Sequence, residues 1–137
     1  MKALLDTDTL SEVLKSKDRQ VQARADAYLA EHGRYTLSTI TIMEIVKGLS
    51  RKGREDAIVR FLGVVHGSDV VTLDEVGAEL AGRIYADLER AGRVIGVADV
   101  LIGAIAVQRG LTLVTGNAAH YRHIQHAGYP LRLESWR

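Results

Sequence analysis

The chain has 137 residues, with 18 Lys and Arg against 17 Asp and Glu, a formal net charge of +1. That near balance excludes a strongly basic protein that coats nucleic acid through indiscriminate phosphate contact, though not a local basic patch. With 47% apolar residues, 26% charged and no cysteine, it reads as one globular domain over residues 1–137, with no disulfide framework and no thiol nucleophile.

The opening has too few apolar residues before Asp6 for a signal-peptide core. No apolar run approaches the ~20 residues of a membrane span, so a cytoplasmic protein without a membrane partner is expected. In chain order, "KALL" is a short apolar strand, and residues 9–15 and 21–32 read as helices, the second ended by Gly33. "YTLSTI" is strand-like, followed by helices over 42–50 and 54–66 on either side of "RKGR". "DVVTL" is a third strand before a long helix from 75 to 91. Residues 98–109 form a nearly all-apolar helix, "LTLVT" a fourth strand and "LRLES" a short fifth. This alternation predicts an α/β fold with a central parallel sheet of four to five strands, covered by helices on both faces.

In such a sheet, ligands bind beyond the carboxyl ends of the strands. Asp6 follows the first strand, Glu44 lies in the first turn of the helix after the second, Asp99 starts the apolar helix, and Asn117 follows the fourth strand. Each acid also has a plain structural use. Asp6 or Asp8 caps a helix beginning near Thr9, Thr41 and Glu44 fit a capping box, and Asp99 complements a helix dipole. Two features favour a site. An aspartate heading a buried helix needs a partner. Glu44 falls opposite the apolar stripe Ile42, Ile45, Val46 and Leu49, beside Lys47 and Arg51, either an ion-paired solvated face or a path for a phosphate backbone. Three converging carboxylates without cysteine suit a hard cation, Mg2+ or Mn2+, over zinc.

Four segments together resemble a known family. "LLDTDTLSEVL", "LSTITIMEIVKGL" and "GRVIGVADVLIGAIAVQRGLTLVTGNAAHYRHI" are similar, in order and spacing, to the conserved segments of the PIN-domain nucleases. Within that family they resemble the VapC-type toxin ribonucleases of bacterial toxin–antitoxin pairs. The resemblance implies a three-layer α/β/α fold and a metal-dependent endoribonuclease acting on RNA such as transfer RNA. It implies Asp6, Glu44 and Asp99 as metal-binding carboxylates, with Asn117 where many relatives have a fourth acid and Thr115 as the hydroxyl residue beside it. It also implies a VapB-like antitoxin as partner, and a homodimer.

The chain departs from the family pattern at Asp8, where asparagine is usual, and at His120, where another acid is frequent. Asp8 is assigned a supporting place, as cap or as a contact to metal-bound water, and His120 a contact to phosphate or a surface position. Arg51, Lys52 and Arg54 in "RKGRED", and Arg93 before the third segment, are candidate RNA contacts or solvated charges. His120, His123 and His126 recur at three-residue steps, which rotate off one helix face and make a zinc site a poor fit. The competing enzyme is a haloacid-dehalogenase-type phosphatase using Asp6-x-Asp8, which lacks a lysine after Lys52. The competing non-enzymes are a receiver-like signalling domain and a PIN module that binds without catalysis.

Overall fold

The computed structural model describes residues 2–137. They contain five strands, β1 (Ala3–Leu5), β2 (Thr36–Ser38), β3 (Asp69–Val71), β4 (Thr112–Val114) and β5 (Arg132–Glu134). Seven helices accompany them: α1 (Thr7–Lys15), α2 (Arg19–His32), α3 (Thr39–Arg51), α4 (Glu55–His66), α5 (Glu75–Arg90), α6 (Val97–Arg109) and α7 (Ala118–His126). All strands pair in parallel, in the order β3-β2-β1-β4-β5. The chain steps outward from β1 to β3, then returns to the other side of β1 for β4. This reversal makes the β1/β4 border a topological switch point, where loops leaving the strand ends diverge and open a crevice.

Alternating side chains along the strands feed two cores. Leu4 and Leu113 pack with Ile84 and Leu88 of α5, Ile102 and Ile105 of α6, and Ile124 of α7. Ala3, Leu5, Leu37 and Val114 pack on the opposite face with Leu10, Val13, Tyr28, Ile45 and Phe61 from α1 to α4. The result is the expected three-layer α/β/α arrangement, with α5–α7 on one face and α1–α4 on the other. Helix α6 is buried as its apolar sequence predicts, through Val100, Ile102, Gly103, Ala104, Ile105 and Ala106. Gly103 leaves room for α7's Ile124, because a Cβ there would lie 2.7 Å from Ile124 Cδ1.

Several boundaries differ from the sequence reading, for reasons of capping. Helix α1 begins at Thr7, since Asp6 is the residue that caps it; the Asp8 cap and the start near Thr9 are both corrected. Helix α3 begins at Thr39, because the Ser38 hydroxyl accepts from the Thr41 amide at 3.2 Å. The end of "YTLSTI" is therefore helical, and Glu44 stands in the second turn instead of the first. The Thr41–Glu44 capping box does not form. Helix α7 has almost no signature in the sequence, as only Tyr121 and Ile124 of its short, polar stretch are buried. None of the described helices is long and apolar enough to cross a membrane.

Candidate active site

Asp6 ends β1 at the switch point and is only 3% exposed. Its carboxylate is held on both oxygens: Oδ1 accepts from the Thr9 amide at 2.8 Å and Oδ2 from the Thr115 hydroxyl at 2.5 Å. The Asp6 amide donates to the Val114 carbonyl at 3.0 Å, so β4 fixes the whole turn. Burial pushes the Asp6 carboxyl above the ordinary carboxylate range, against the opposing effect of these hydrogen bonds and with a smaller contribution from the charge of Asp8. Cap and candidate ligand are the same residue, which answers the choice between Asp6 and Asp8. Asp8 itself is exposed in the first turn of α1, so a paired Asp6-x-Asp8 catalytic unit has no support in the geometry.

From Asp6 a run of contacts leads toward Asp99, its last two links being alternatives at one nitrogen. The Thr115 hydroxyl that donates to Asp6 accepts from the Asn117 amide at 2.8 Å. The Asn117 side-chain nitrogen lies 2.8 Å from His120 Nδ1, and that nitrogen lies 3.5 Å from Asp99 Oδ2. The two contacts to Nδ1 need different protonation. A neutral ring accepts from Asn117, whereas an Nδ1–H donates to Asp99. The other oxygen of Asp99, Oδ1, accepts from the Tyr121 hydroxyl at 3.2 Å. Asp99 thus has the partner its place at the head of a buried helix required, while its side chain stays 28% exposed.

Glu44 approaches from α3. Its Oε1 accepts from the Thr7 hydroxyl at 2.5 Å, and Thr7 Oγ1 lies 3.1 Å from Thr41 Oγ1. Glu44 therefore takes a partner on α1, the helix that Asp6 caps, instead of pairing with Lys47. Tyr121 is almost fully buried, with its hydroxyl on Asp99. Burial, the charges of Asp99 and Asp6, the bond to Asp99 and the charge of Glu44 all push its phenol far above its ordinary value. It remains a proton donor at every physiological pH.

Sequence reasoning missed both Tyr121 and Thr7. Thr7 sits inside the quoted first segment, and its position directly after Asp6 was the available signal. Arg137 was missed as well: its guanidinium lies 3.3 Å from where a Gly116 Cβ would stand, and it pairs with Glu12 at 3.5 Å. Trp136, 4% exposed against the Tyr28 ring, anchors that tail beside the Thr115–Asn117 loop.

The donor set of Asp6, Glu44 and Asp99 is all oxygen. Among the described residues no three His, Asp or Glu side chains are assembled as a ready-made ion cage. By its chemistry an all-oxygen donor set suits a hard cation such as magnesium better than zinc. His120 and His126 face different partners, Asp99 and Arg93, so the three imidazoles of α7 do not converge.

The outlying cations divide. Lys47 and Arg51 are exposed on α3 beyond Glu44, and Asn117 and His120 stand at the open side of the acids. Lys52 and Arg54 line a groove of about 450 Å³ between α1, α3 and α4, over Leu14, Ile45, Leu49 and Phe61. Arg54 is committed to Asp56 at 3.2 Å, and its hydrogen bond holds that carboxyl down to about 2. Arg93 contacts His126 at 3.2 Å.

Residues 3–125 match the PIN domain family. Over 137 residues the chain is 30% identical to the tRNA(fMet)-specific endonuclease VapC of Shigella flexneri, covering 99% of this chain and 98% of that protein. The crystal structure of DNA-bound VapBC from Salmonella typhimurium superposes with a TM-score of 0.82 at 28% identity, over 100% of this chain and 99% of that one. That of VapBC2 from Rickettsia felis, bound to a promoter DNA fragment, superposes with a TM-score of 0.84 over 100% of both chains, and at 23% identity it speaks for the fold alone. With the family pattern spanning the switch point and every acid described around it, the chain belongs to the PIN-domain family, among its VapC members.

Proposed function

We propose that this protein is the toxin of a toxin–antitoxin pair, a cytoplasmic endoribonuclease that uses Mg2+ or Mn2+ to hydrolyse phosphodiester bonds in RNA, with transfer RNA as its substrate. The observation that carries the reading is the run of side chains from Asp6 through Thr115, Asn117 and His120 toward Asp99, with the Tyr121 hydroxyl on Asp99 and the Thr7 hydroxyl on Glu44. The relatives' names, which include VapC endonuclease and VapBC complexes, support the RNA substrate and a VapB-like antitoxin. A homodimer and a single domain over residues 1–137 complete the proposal.

Each residue has a physical task. Thr9 and Thr115 hold the buried Asp6 carboxylate in one orientation, and Thr7 does the same for Glu44. Tyr121 fixes one oxygen of Asp99 and leaves the other toward the open side. Asp6, Glu44 and Asp99 would hold the cation, which when bound supplies a more acidic water and neutralises charge on the phosphate. The Asn117 amide and the His120 ring offer donors to the phosphate at the mouth, and Arg137 adds positive charge beside Gly116. Lys47, Arg51, Lys52, Arg54 and Arg93 guide the RNA, Arg54 least because of Asp56.

Incubation of the purified protein with transfer RNA and magnesium or manganese tests this. Cleavage that stops with chelator and in Asp99→Asn is expected. Cleavage that survives both overturns the metal-site assignment, and RNA left intact under all conditions favours a module that only binds. Arrest of growth on expression alone, relieved by a co-expressed antitoxin, is the expected cellular counterpart.

A further inference from the structure

Along α7 from His120, a hollow of about 570 Å³ opens between the end of α5 and the end of α7. Its lining is Leu88, Ala91, Arg93, His123, His126 and Ala127, which combines an apolar floor with three nitrogen-bearing side chains and no carboxylate. Arg93 is exposed and, among the described residues, is not part of any ion pair with an acid. Its guanidinium instead contacts His126 Nδ1, which leaves the proton of the neutral ring on Nε2 and most of the Arg93 donors unused. The Nδ1 atom of His123 is buried with no hydrogen-bond partner. A cation with unused donors, at the rim of a hollow that holds no carboxylate, suits an anionic group seated there.

Position along α7 says which anion. His120 meets Asp99 in the first turn, and His123 and His126 follow three and six residues later. Six residues of helix advance about 9 Å, on the order of two to three nucleotides at the ~3.4 Å axial rise of a strand. We propose that Arg93, His123 and His126 form a subsite for a backbone phosphate of the RNA a few nucleotides from the scissile bond. The inference rests on the ribonuclease reading above and adds to it the imidazoles and the hollow. An acidic segment of a protein would be drawn to the same groups, but the imidazoles run on from the place where the substrate's phosphates must lie.

The test is binding of a fluorescent 15-nucleotide single-stranded RNA, with magnesium, over a salt series, in an Asp99→Asn background so that turnover does not intervene. Arg93→Ala is expected to weaken binding several-fold and to flatten the dependence of log affinity on log salt by about 0.7, the loss of one phosphate contact to a single strand. His126→Gln weakens binding in the same direction. Arg83→Ala, which removes the same charge from the outer face of α5, leaves the slope unchanged. An Arg93→Ala slope equal to that of the parent overturns the subsite, as does unchanged RNA affinity accompanied by loss of antitoxin binding. If the parent does not bind RNA and the wild type does not cleave it, the ribonuclease reading falls together with the subsite.

Discussion

The β1–α1 turn and the α6–α7 corner each present one aspartate to the same crevice, and they hold it in opposite ways. Asp6 is buried, serves the fold as a cap and has both oxygens occupied by hydrogen bonds from Thr9 and Thr115. Asp99 is partly exposed, and its one firm contact is the Tyr121 hydroxyl. An identical side chain is therefore costly to keep charged in one place and readily available in the other. The lesson is that candidate ligands need not be alike in energy. One is embedded in the turn, and the other keeps part of its carboxylate toward solvent.

That contrast can be broken most directly at the acids. Asp99→Asn and Asp6→Asn are each expected to lower cleavage of transfer RNA by more than about 100-fold, since partners outside the ligand shell alone are worth about 10–100-fold. Asp8→Asn, which changes an exposed helix residue, should leave cleavage close to wild type. Equal loss at Asp6 and Asp8 in a single-turnover assay would restore the paired-aspartate reading.

Tyr121→Phe sharpens the Asp99 side of the comparison. It deletes the hydroxyl and keeps the ring in the core, so activity should fall by about 10–100-fold while the melting temperature changes little. A fall in melting temperature without loss of rate would make Tyr121 a packing residue only. Gly103→Ala acts on the same corner through its backbone. A methyl group 2.7 Å from Ile124 Cδ1 makes that buried side chain shift, at a cost of about 1–3 kcal/mol in denaturant unfolding.

The smallest effect concerns stability and pH. Burial raises the Asp6 carboxyl, so the folded state binds that proton more tightly than the unfolded chain does. The associated stability is present below the ordinary carboxylate range and is lost as pH rises through the raised value. Asp6→Asn removes the titration and keeps a capping side chain. It should therefore stabilise the fold near neutral pH by about 0.5–2 kcal/mol, the usual scale when a functional group is relieved of strain. The gap from wild type should narrow in acid, and a gap that is constant with pH would contradict the burial argument.

Much of this was legible in the residues. The apolar strand segments and the all-apolar 98–109 stretch specified a covered parallel sheet, because burial on both faces leaves no polar alternation to read. Asp6, Asp99, Thr115 and Asn117 stood at strand and helix ends, where such sheets bind ligands, and the structure joins them through contacts of side chain and backbone. Less legible was the start of α3. Ser38 and Thr41 are both competent caps, and the choice between them depended on how "STI" packed, which moved Glu44 by a turn. Helix α7 was hidden because two buried residues in nine give almost no periodicity.

Local chemistry, then, settled which residues could serve: carboxylates after strands, hydroxyls beside them and a glycine where two helices close. Which oxygen each acid leaves free was a matter of long-range contacts. Thr115 reaches Asp6 across 109 residues, Thr7 reaches Glu44 across 37 and Tyr121 reaches Asp99 across 22. Hydrogen bonding is directional and short in range, so its partners exist only once the sheet order has brought β1 beside β4 and Gly103 has let α7 close on α6.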